Sequence, residues 1–263
     1  MIIKHRAYYN EIDPHVAQWL RNLIARGLIA PGDVDQRSIA DVRPSDLAGY
    51  TQCHFFAGIG GWSLAFRRAG IPDSFPAWSA SCPCPPWSRA RIWHVDTAGR
   101  RDARDLWPAL MPLIAAAKPV LLYGEQVAGA KVQPWISRAK RNLKGEGYEV
   151  EGQTIKAKER GSPQGRERFY FSADLGGKGR QGLVARGGVG EARPWRWGGE
   201  ADLRAIARAP FKPGDSWPQP LVRRGDDGLS ARVADVRAYG NAIDPWVAAA
   251  FIAQTLTPAE VRA

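Results

Sequence analysis

The sequence has few of the residues that build disulfide or zinc frameworks. Only three cysteines occur among 263 residues, none in a Cys-x-x-Cys pair, and the four histidines are scattered. A disulfide scaffold and a zinc site are therefore disfavoured, and a reducing compartment is indicated. No apolar run is long enough to cross a bilayer, and residues 1–10 do not have the pattern of a secretory signal. We expect a cytoplasmic protein without metal or membrane contact.

The sequence also has fewer acidic than basic residues, so its net charge is strongly positive. Lysine and arginine total 37 against 26 aspartates and glutamates, which gives a net charge of +11. A polyanionic partner explains such a balance, because each cation placed on a phosphate releases a counterion. A basic face that only aids solubility is the alternative. Eleven tryptophans are present, and some could stack on bases, although most are expected in the core.

Apolar segments that alternate between strand and helix character predict an α/β fold. The predicted strands are 7–10, 38–42, 50–56, 75–80, 119–124, 148–157 and 169–172. The predicted helices are 14–26, 62–69, 106–117, 134–143 and 246–256. Alternation of this kind is typical of a mixed, mostly parallel sheet covered by helices.

A change of composition divides the chain into two regions. Between residues 174 and 234, Gly-Gly pairs alternate with arginines and tryptophans, and periodicity is poor. This pattern fits a disordered linker or a small basic domain, and the interleaved Arg and Trp favour contact with nucleic acid. We therefore predict a main domain of residues 1–173 plus 235–263, with a small irregular insert at 174–234.

Side chains capable of chemistry follow several predicted strands. Cys84 lies in the proline-rich turn Ser81-Cys82-Pro83-Cys84-Pro85-Pro86-Trp87-Ser88, after the strand at 75–80. Prolines make such a turn rigid, and open α/β sheets place ligands at the carboxyl ends of their strands. Cys84 is therefore a candidate nucleophile. The alternative is that it is a small buried hydrophobe, as most free cysteines are. We take Cys82 and Cys53 as structural.

Two further strand ends have features of a nucleotide or cofactor site. The strand at 50–56 runs into the glycine turn Ala57-Gly58-Ile59-Gly60-Gly61 and then a helix, an arrangement that lets a backbone approach a ligand. Glu11 follows the strand at 7–10, where such sheets place a ribose ligand. Alternatively, Glu11 or Asp13 caps the helix that begins at Pro14. Glu125 follows the strand at 119–124 on the same predicted edge.

Together these motifs resemble the DNA cytosine-5 methyltransferases, especially the short forms encoded by bacteriophages. The matching segments are Phe55-Phe56-Ala57-Gly58-Ile59-Gly60-Gly61, Pro83-Cys84-Pro85, Glu125-Gln126-Val127, Gln164-Gly165-Arg166-Glu167-Arg168 and Gly240-Asn241. Pro85 and Gln126 depart from the family's usual Gln and Asn. The resemblance implies a Rossmann-like methyltransferase sheet, an S-adenosylmethionine cofactor and a double-stranded DNA substrate, in a bacterial or phage-infected cell.

One departure concerns the order of the motifs. The family's ribose and adenine motifs usually follow the glycine loop, but only a short stretch separates Gly61 from Pro83 here. Residues 10–14 resemble the ribose motif and residues 38–42 the adenine motif. We therefore expect a permuted strand order, with both strands placed before the glycine loop.

The resemblance also implies a role for each candidate residue. Cys84 would add to carbon 6 of a flipped cytosine, Glu125 would protonate its N3, and Arg168, with Arg166, would hold its O2 and the backbone. Glu11 would bind the ribose, Ile12 would pack on the adenine, and Ser38 or Asp41 would accept from the adenine amino group. Other cofactor contacts are expected from Phe56, Ala57, Gly58, Ile59, Gly60, Gly61, Pro83, Asn241 and Ala242, and DNA contacts from Ser88, Arg89, Arg91, Gln164, Arg193, Trp195, Arg196 and Trp197.

Two other functions fit the same residues. The arginine-rich stretch after Ser88 could suit a carboxylated donor, carboxy-S-adenosylmethionine, which would give 5-carboxymethylcytosine. A DNA-binding protein without activity is the second alternative, against which the intact Cys84, Glu125 and arginine pair argue. We expect a monomer, because enzymes of this kind usually act on one flipped base.

Overall fold

A computed structural model describes residues 6–83, 105–160, 165–179, 181 and 242–256 of the chain. Seven strands form one sheet: β1 (Ala7–Asn10), β2 (Gly32–Asp35), β3 (Gln52–Phe55), β4 (Ala77–Ala80), β5 (Leu121–Val127), β6 (Tyr148–Lys156) and β7 (Glu167–Leu175). Within these described ranges, five α-helices pack on it: α1 (Pro14–Ala25), α2 (Gly61–Arg68), α3 (Trp107–Ala117), α4 (Gln133–Gly145) and α5 (Pro245–Leu256).

The sheet is mixed and mostly parallel, as the sequence predicts. Its strand order is β2-β1-β3-β4-β5-β7-β6. The five strands from β2 to β5 are parallel, and β7 runs antiparallel to both β5 and β6. Every residue of β1, β3 and β4 is buried, as is usual for parallel strands covered on both faces.

Alternate side chains of the strands fill cores on opposite faces of the sheet. On one face, Leu122 and Phe171 pack with residues of α3 and α4. On the other face, Tyr123 and Tyr170 pack with α2 and α5, and Tyr9 packs with Leu20 of α1. Helices therefore cover both faces, which leaves the ends of the parallel strands as the place for a ligand.

Local signals in the sequence explain where the helices begin and end. Asp13 is the N-cap of α1, since its Oδ1 accepts hydrogen bonds from the amides of His15 and Val16, and Pro14 takes the first helical position. Helix α3 forms although Pro112 lies inside it, and it ends where Lys118 adopts a left-handed conformation. No helix within the described ranges is long and apolar enough to cross a membrane.

The predicted strand at 38–42 is wrong. Residues Ile39–Asp41 form a 3-10 helix, and Ser38 caps it by accepting a hydrogen bond from the Ala40 amide. The strand of this region is β2, which the sequence analysis missed. β2 contains two aspartates, a residue type depleted in strands, but Tyr8 and Tyr50 donate hydrogen bonds to Asp35 and Asp33. These contacts between distant residues stabilise a strand that local propensity does not predict.

Candidate functional site

A cleft of about 660 Å³ lies at the carboxyl ends of the parallel strands. This volume falls within the roughly 300–1,000 Å³ range of small-molecule sites. The cleft brings together most of the candidate residues in the described part of the chain: Glu11, Ile12, Ser38, Phe56, Ala57, Gly58, Ile59, Gly61, Pro83, Glu125, Arg166, Arg168 and Ala242. Their convergence depends on the sheet, since they come from seven separate segments.

The carboxylate at the end of β1 is directed at the glycine turn. Glu11 Oε2 accepts a hydrogen bond from the Gly58 amide at 2.9 Å, and its Oε1 accepts one from the Asp13 amide at 3.0 Å. The cap of α1 belongs to Asp13, so Glu11 is not needed for that task. Burial raises the pKa of Glu11, and its hydrogen bonds to backbone amides oppose this effect. Glu11 therefore lines the cleft as a partly desolvated carboxyl group.

The turn between β3 and α2 has a backbone that few sequences tolerate. Gly58 and Gly60 have φ values of +53° and +80°, and Phe56, which is not a glycine, has φ +54°. A positive φ in a bulky residue is strained, and such strain concentrates at functional sites. At Gly61 a side chain would meet Ile243 Cγ1 at 2.9 Å, so the segment before α5 packs directly on the start of α2.

The two candidates for adenine recognition lie in different environments. Ser38 lines the cleft, whereas Asp41 is exposed and is not among the cleft-lining residues of the described ranges. Ile12 also lines the cleft and is 65% exposed, an unusual state for a large aliphatic side chain. The Asn10 side chain donates to the Arg37 carbonyl at 2.9 Å and so holds the segment that leads to Ser38.

Glu125 is the most deeply buried carboxyl group of the cleft. It lies within β5 rather than beyond its end, and only 6% of it is exposed. Burial raises its pKa, while the guanidinium groups of Arg168 and Arg166 act in the opposite direction. A raised pKa favours the neutral carboxyl form, which can donate a proton.

Two arginines face this carboxyl group: Arg166 just before β7 and Arg168 within it. Arg168 Nε lies 2.8 Å from Glu125 Oε1, and Arg166 Nη2 lies 3.7 Å from the same oxygen. Burial and the neighbouring Arg166 lower the pKa of Arg168. The group therefore combines one buried acid with two cations that face it.

The segment that leads to the predicted nucleophile lies between these two parts of the cleft. Trp62 Nε1 donates to Ser81 Oγ at 2.9 Å, and Gln126 Nε2 donates to the Cys82 carbonyl at 3.4 Å. Burial raises the pKa of both Cys82 and Cys53, so both thiols stay protonated, as expected for structural cysteines. Pro83 lines the cleft, and Cys84 follows it in sequence.

Several predicted residues lie outside the described ranges. They are Cys84, Ser88, Arg89, Arg91, Gln164, Arg193, Trp195, Arg196, Trp197 and Asn241. Most of the predicted insert at 174–234 lies outside them too, although Asp174 and Leu175 belong to β7. Within the described residues, no group of three or more His, Cys, Asp or Glu side chains is placed to hold a metal ion.

Sequence reasoning did not find three of the contacts that shape the cleft. These are Trp62 on Ser81, Gln126 on the Cys82 carbonyl and Asn10 on the Arg37 carbonyl. Gln126 and Asn10 could have been found, because a polar side chain in an otherwise buried strand end needs a partner. Trp62 gave no such signal, since a tryptophan at a helix start is usually core.

Two solved structures that are similar to this chain at low sequence identity are described as methyltransferases. One, described as a candidate DNA modification methyltransferase encoded within a prophage of E. coli, has 16% identity and a TM-score of 0.41, covering 64% of this chain and 40% of that one. Another, the Dnmt2 methyltransferase of S. pombe, has 13% identity and a TM-score of 0.40, covering 80% of this chain and 58% of that one. This chain thus spans about half the length of these proteins.

A search of curated proteins finds no match. A family model does match part of the chain, from α2's end to just beyond β7, and this segment holds Pro83, Cys84, Glu125, Arg166 and Arg168. Residues 70–181 are thus similar to the family described as C-5 cytosine-specific DNA methylase.

Proposed function

We propose that this protein is a DNA cytosine-5 methyltransferase that uses S-adenosylmethionine. The observation that carries the proposal is the placement of Glu125. It is a buried acid with two arginines beside it, in one cleft with Glu11, the glycine turn and the residue that precedes Cys84. The family match at 70–181 supports the same reaction.

The described residues fit the proposed cofactor at the β1–β3 side of the cleft. Glu11 presents a carboxylate that suits ribose hydroxyls, and exposed Ile12 offers an apolar surface to a purine. Gly58 lets a ligand approach the backbone closely, because it has no side chain and nothing lies within 4 Å of the position that one would take. Of the two adenine candidates, we propose Ser38, because it lines the cleft. When bound, S-adenosylmethionine supplies the electrophilic methyl group that the activated carbon 5 accepts.

The chain's own residues would activate the cytosine. The Cys84 thiolate adds to carbon 6, so that a C–S bond forms as the double bond between carbons 5 and 6 breaks, and carbon 5 becomes nucleophilic. After carbon 5 has accepted its new group, loss of the carbon 5 proton to solvent and departure of the Cys84 thiolate restore the double bond. Glu125 donates a proton to N3 as negative charge develops on the ring. Arg168 and Arg166 hold O2 and the backbone of the extruded nucleotide. Extrusion from the duplex costs a few kcal/mol, so the arginines and the cleft must bind the flipped base.

We also propose that the strands for the ribose and adenine motifs precede the glycine turn because the chain is permuted relative to the family. In the sheet, β1 lies beside β3, and β2 lies on the other side of β1. Both strands come before β3 in the sequence. The family match begins at residue 70, after β1, β2 and β3. A linear family model requires motifs in the family's own order, so this starting point supports the permutation.

The decisive experiment is covalent trapping on duplex DNA that contains 5-fluorocytosine. Fluorine at carbon 5 blocks release of the thiol, so the parent protein with S-adenosylmethionine should form a complex that survives denaturation. The Cys84→Ser variant should form none, whereas a Cys82→Ala control should still be trapped. Equal trapping of Cys84→Ser and the parent would remove Cys84 from the mechanism.

Mass spectrometry of nucleosides from modified DNA would identify the transferred group. We expect 5-methylcytosine. 5-Carboxymethylcytosine would instead assign the carboxylated donor. A folded parent protein that binds DNA but neither modifies nor traps it would be a DNA-binding protein without activity.

A further inference from the structure

The connection between β6 and β7 carries a cluster of exposed cations. It consists of Lys156 at the end of β6 and of Lys158 and Arg160 in the 3-10 helix Ala157–Arg160. We call these three residues the β6–β7 cations. The same 3-10 helix contains one acid, Glu159. Its Oε1 lies 3.8 Å from Lys156 Nζ, and both side chains are more than half exposed. An exposed ion pair of this kind is weak, so Lys156 can exchange it for another anion.

Strand register places these cations at the edge of the sheet that holds the cleft. Val127 of β5 pairs with Arg168 of β7, and Arg168 pairs in turn with Ile155 of β6. The Ala157 amide then donates to the Arg166 carbonyl at 2.8 Å. Adjacent strands are about 4.8 Å apart, so the start of the 3-10 helix lies roughly 10 Å from the end of β5.

Two hydrogen bonds to α5 hold Arg160 and the neighbouring strand β6 in place. Arg160 Nη2 donates to Gln254 Oε1 of α5 at 3.0 Å, and Gln153 Nε2 of β6 donates to the same oxygen at 2.9 Å. A surface arginine held by a helix loses less side-chain entropy when it binds an anion. Because Gln153 keeps its own bond to α5, a substitution at Arg160 should leave the helix in place.

We propose that the β6–β7 cations bind the phosphate backbone of the DNA strand beside the extruded cytosine. This inference rests on the proposed function, which it extends by naming a surface for the DNA backbone. Cations next to the base-binding arginines can hold the duplex while Arg166 and Arg168 engage the flipped nucleotide. Such contacts position the DNA and do not read its sequence.

The test measures how duplex DNA binding depends on salt. Each phosphate contact contributes about 0.9 to the slope of log K against log salt concentration. The Lys158→Gln/Arg160→Gln variant should therefore lower the slope by about 2, and Lys158→Gln alone by about 1. The turnover rate at saturating DNA should stay unchanged, because neither residue touches the reacting groups.

A matched control removes the same charge at the opposite edge of the sheet. Arg141→Gln/Lys144→Gln changes two exposed cations near the end of α4, which precedes the Tyr148–Leu175 pair at the far end of β6 and β7. This control should keep the parent slope. Equal slopes for the parent and the Lys158/Arg160 variant would overturn the inference. An equal decrease of the slope in both double variants would overturn it too, because it would indicate a general effect of net charge.

Two further outcomes separate the inference from the proposed function. If the parent protein traps 5-fluorocytosine DNA but its slope does not depend on these cations, only the inference fails. If the parent does not trap at all, the proposed function fails and the inference with it. Tighter binding of every form to an RNA duplex of the same sequence would overturn DNA as the partner.

Discussion

Glu125 shows how burial can outweigh neighbouring charge at a single residue. Two guanidinium groups beside a carboxyl group usually lower its pKa, yet the pKa of Glu125 is raised because the side chain is almost fully buried in β5. The folded protein therefore holds the Glu125 proton more tightly than the unfolded chain does. This difference links the stability of the protein to pH.

The sign of this linkage gives a prediction. The contribution of Glu125 to the free energy of unfolding is complete below its ordinary pKa of 4.5 and is lost as the pH rises through the raised value. Urea unfolding of the parent and of Glu125→Gln should therefore show the parent losing stability relative to the variant above about pH 4.5, by about 1.4 kcal/mol for each unit of pKa shift.

The control for this measurement is Glu149→Gln, since Glu149 is an exposed carboxyl group on β6. It should follow the parent at each pH. A parent that instead gained stability over Glu125→Gln with rising pH would show that the arginines outweigh burial.

At the residue scale, the sequence predicted which residue types line the cleft but not which contact each carboxylate makes. Glu11, Glu125, Arg166 and Arg168 all lie in the cleft, as strand-end reasoning and the family resemblance indicated. Sequence reasoning left open whether Glu11 caps a helix. The structure assigns the cap to Asp13, because the direction of each carboxylate depends on backbone geometry that a sequence does not specify.

At the scale of elements, the contact of Gly61 with Ile243 joins the start of α2 to the segment just before α5. A methyl group on Gly61 would lie 2.9 Å from Ile243 Cγ1 and 3.4 Å from the Ile243 carbonyl oxygen. Both residues line the cleft. Displacement of either element would therefore change the proposed cofactor site as well as the packing.

Gly61→Ala should lower the free energy of unfolding by about 1–3 kcal/mol, the usual cost of overpacking, and should weaken cofactor binding. Thermal unfolding and calorimetric titration with S-adenosylmethionine measure the two effects. Gly145→Ala is the control, because nothing lies within 4 Å of its added methyl group. It should be neutral or stabilise by up to about 1 kcal/mol. Unchanged stability in Gly61→Ala would show that Ile243 can move away freely.

Elements with strong local signals were predicted well, and those that depend on distant contacts were not. The strand Ala7–Asn10 was predicted to the residue, and α1, α2, α3, α4 and α5 within a few residues, because their periodicity and proline positions are local features. β2 was missed because its aspartates disfavour a strand. Its stabilising partners, Tyr8 and Tyr50, lie far away in sequence.

At the scale of the whole molecule, α5 ties the end of the chain to the sheet. Its buried residues include Val247, Phe251 and Ile252, and Thr255 Oγ1 lies 3.1 Å from the Tyr123 hydroxyl oxygen. Arg68 of α2 stacks over the ring of Trp246, with its Cζ 4.3 Å from the ring centroid. The main domain therefore needs a segment that lies beyond the predicted insert, since α5 begins only at Pro245.

Excision of residues 182–234, with a flexible glycine-serine linker in their place, should leave a folded protein that still binds S-adenosylmethionine. Its affinity for duplex DNA should fall, because the excised segment contains Arg193, Trp195, Arg196 and Trp197. Circular dichroism and fluorescence anisotropy measure the fold and the DNA affinity. A second form that ends at residue 244, and so lacks α5, should not fold. Full DNA affinity after excision would refute the predicted contact between the insert and nucleic acid.

The order of the strands has a consequence for recombination of the gene. The described residues before 84 form one contiguous half of the sheet, from β2 to β4, and this half contains Glu11, Ser38 and the glycine turn. The strands after residue 104 form the other half, with Glu125, Arg166 and Arg168. A single genetic crossover between the halves could therefore exchange one wall of the cleft as a unit, without separating the acid from its arginines. Chains in which the corresponding strands are interleaved would need several crossovers for the same exchange.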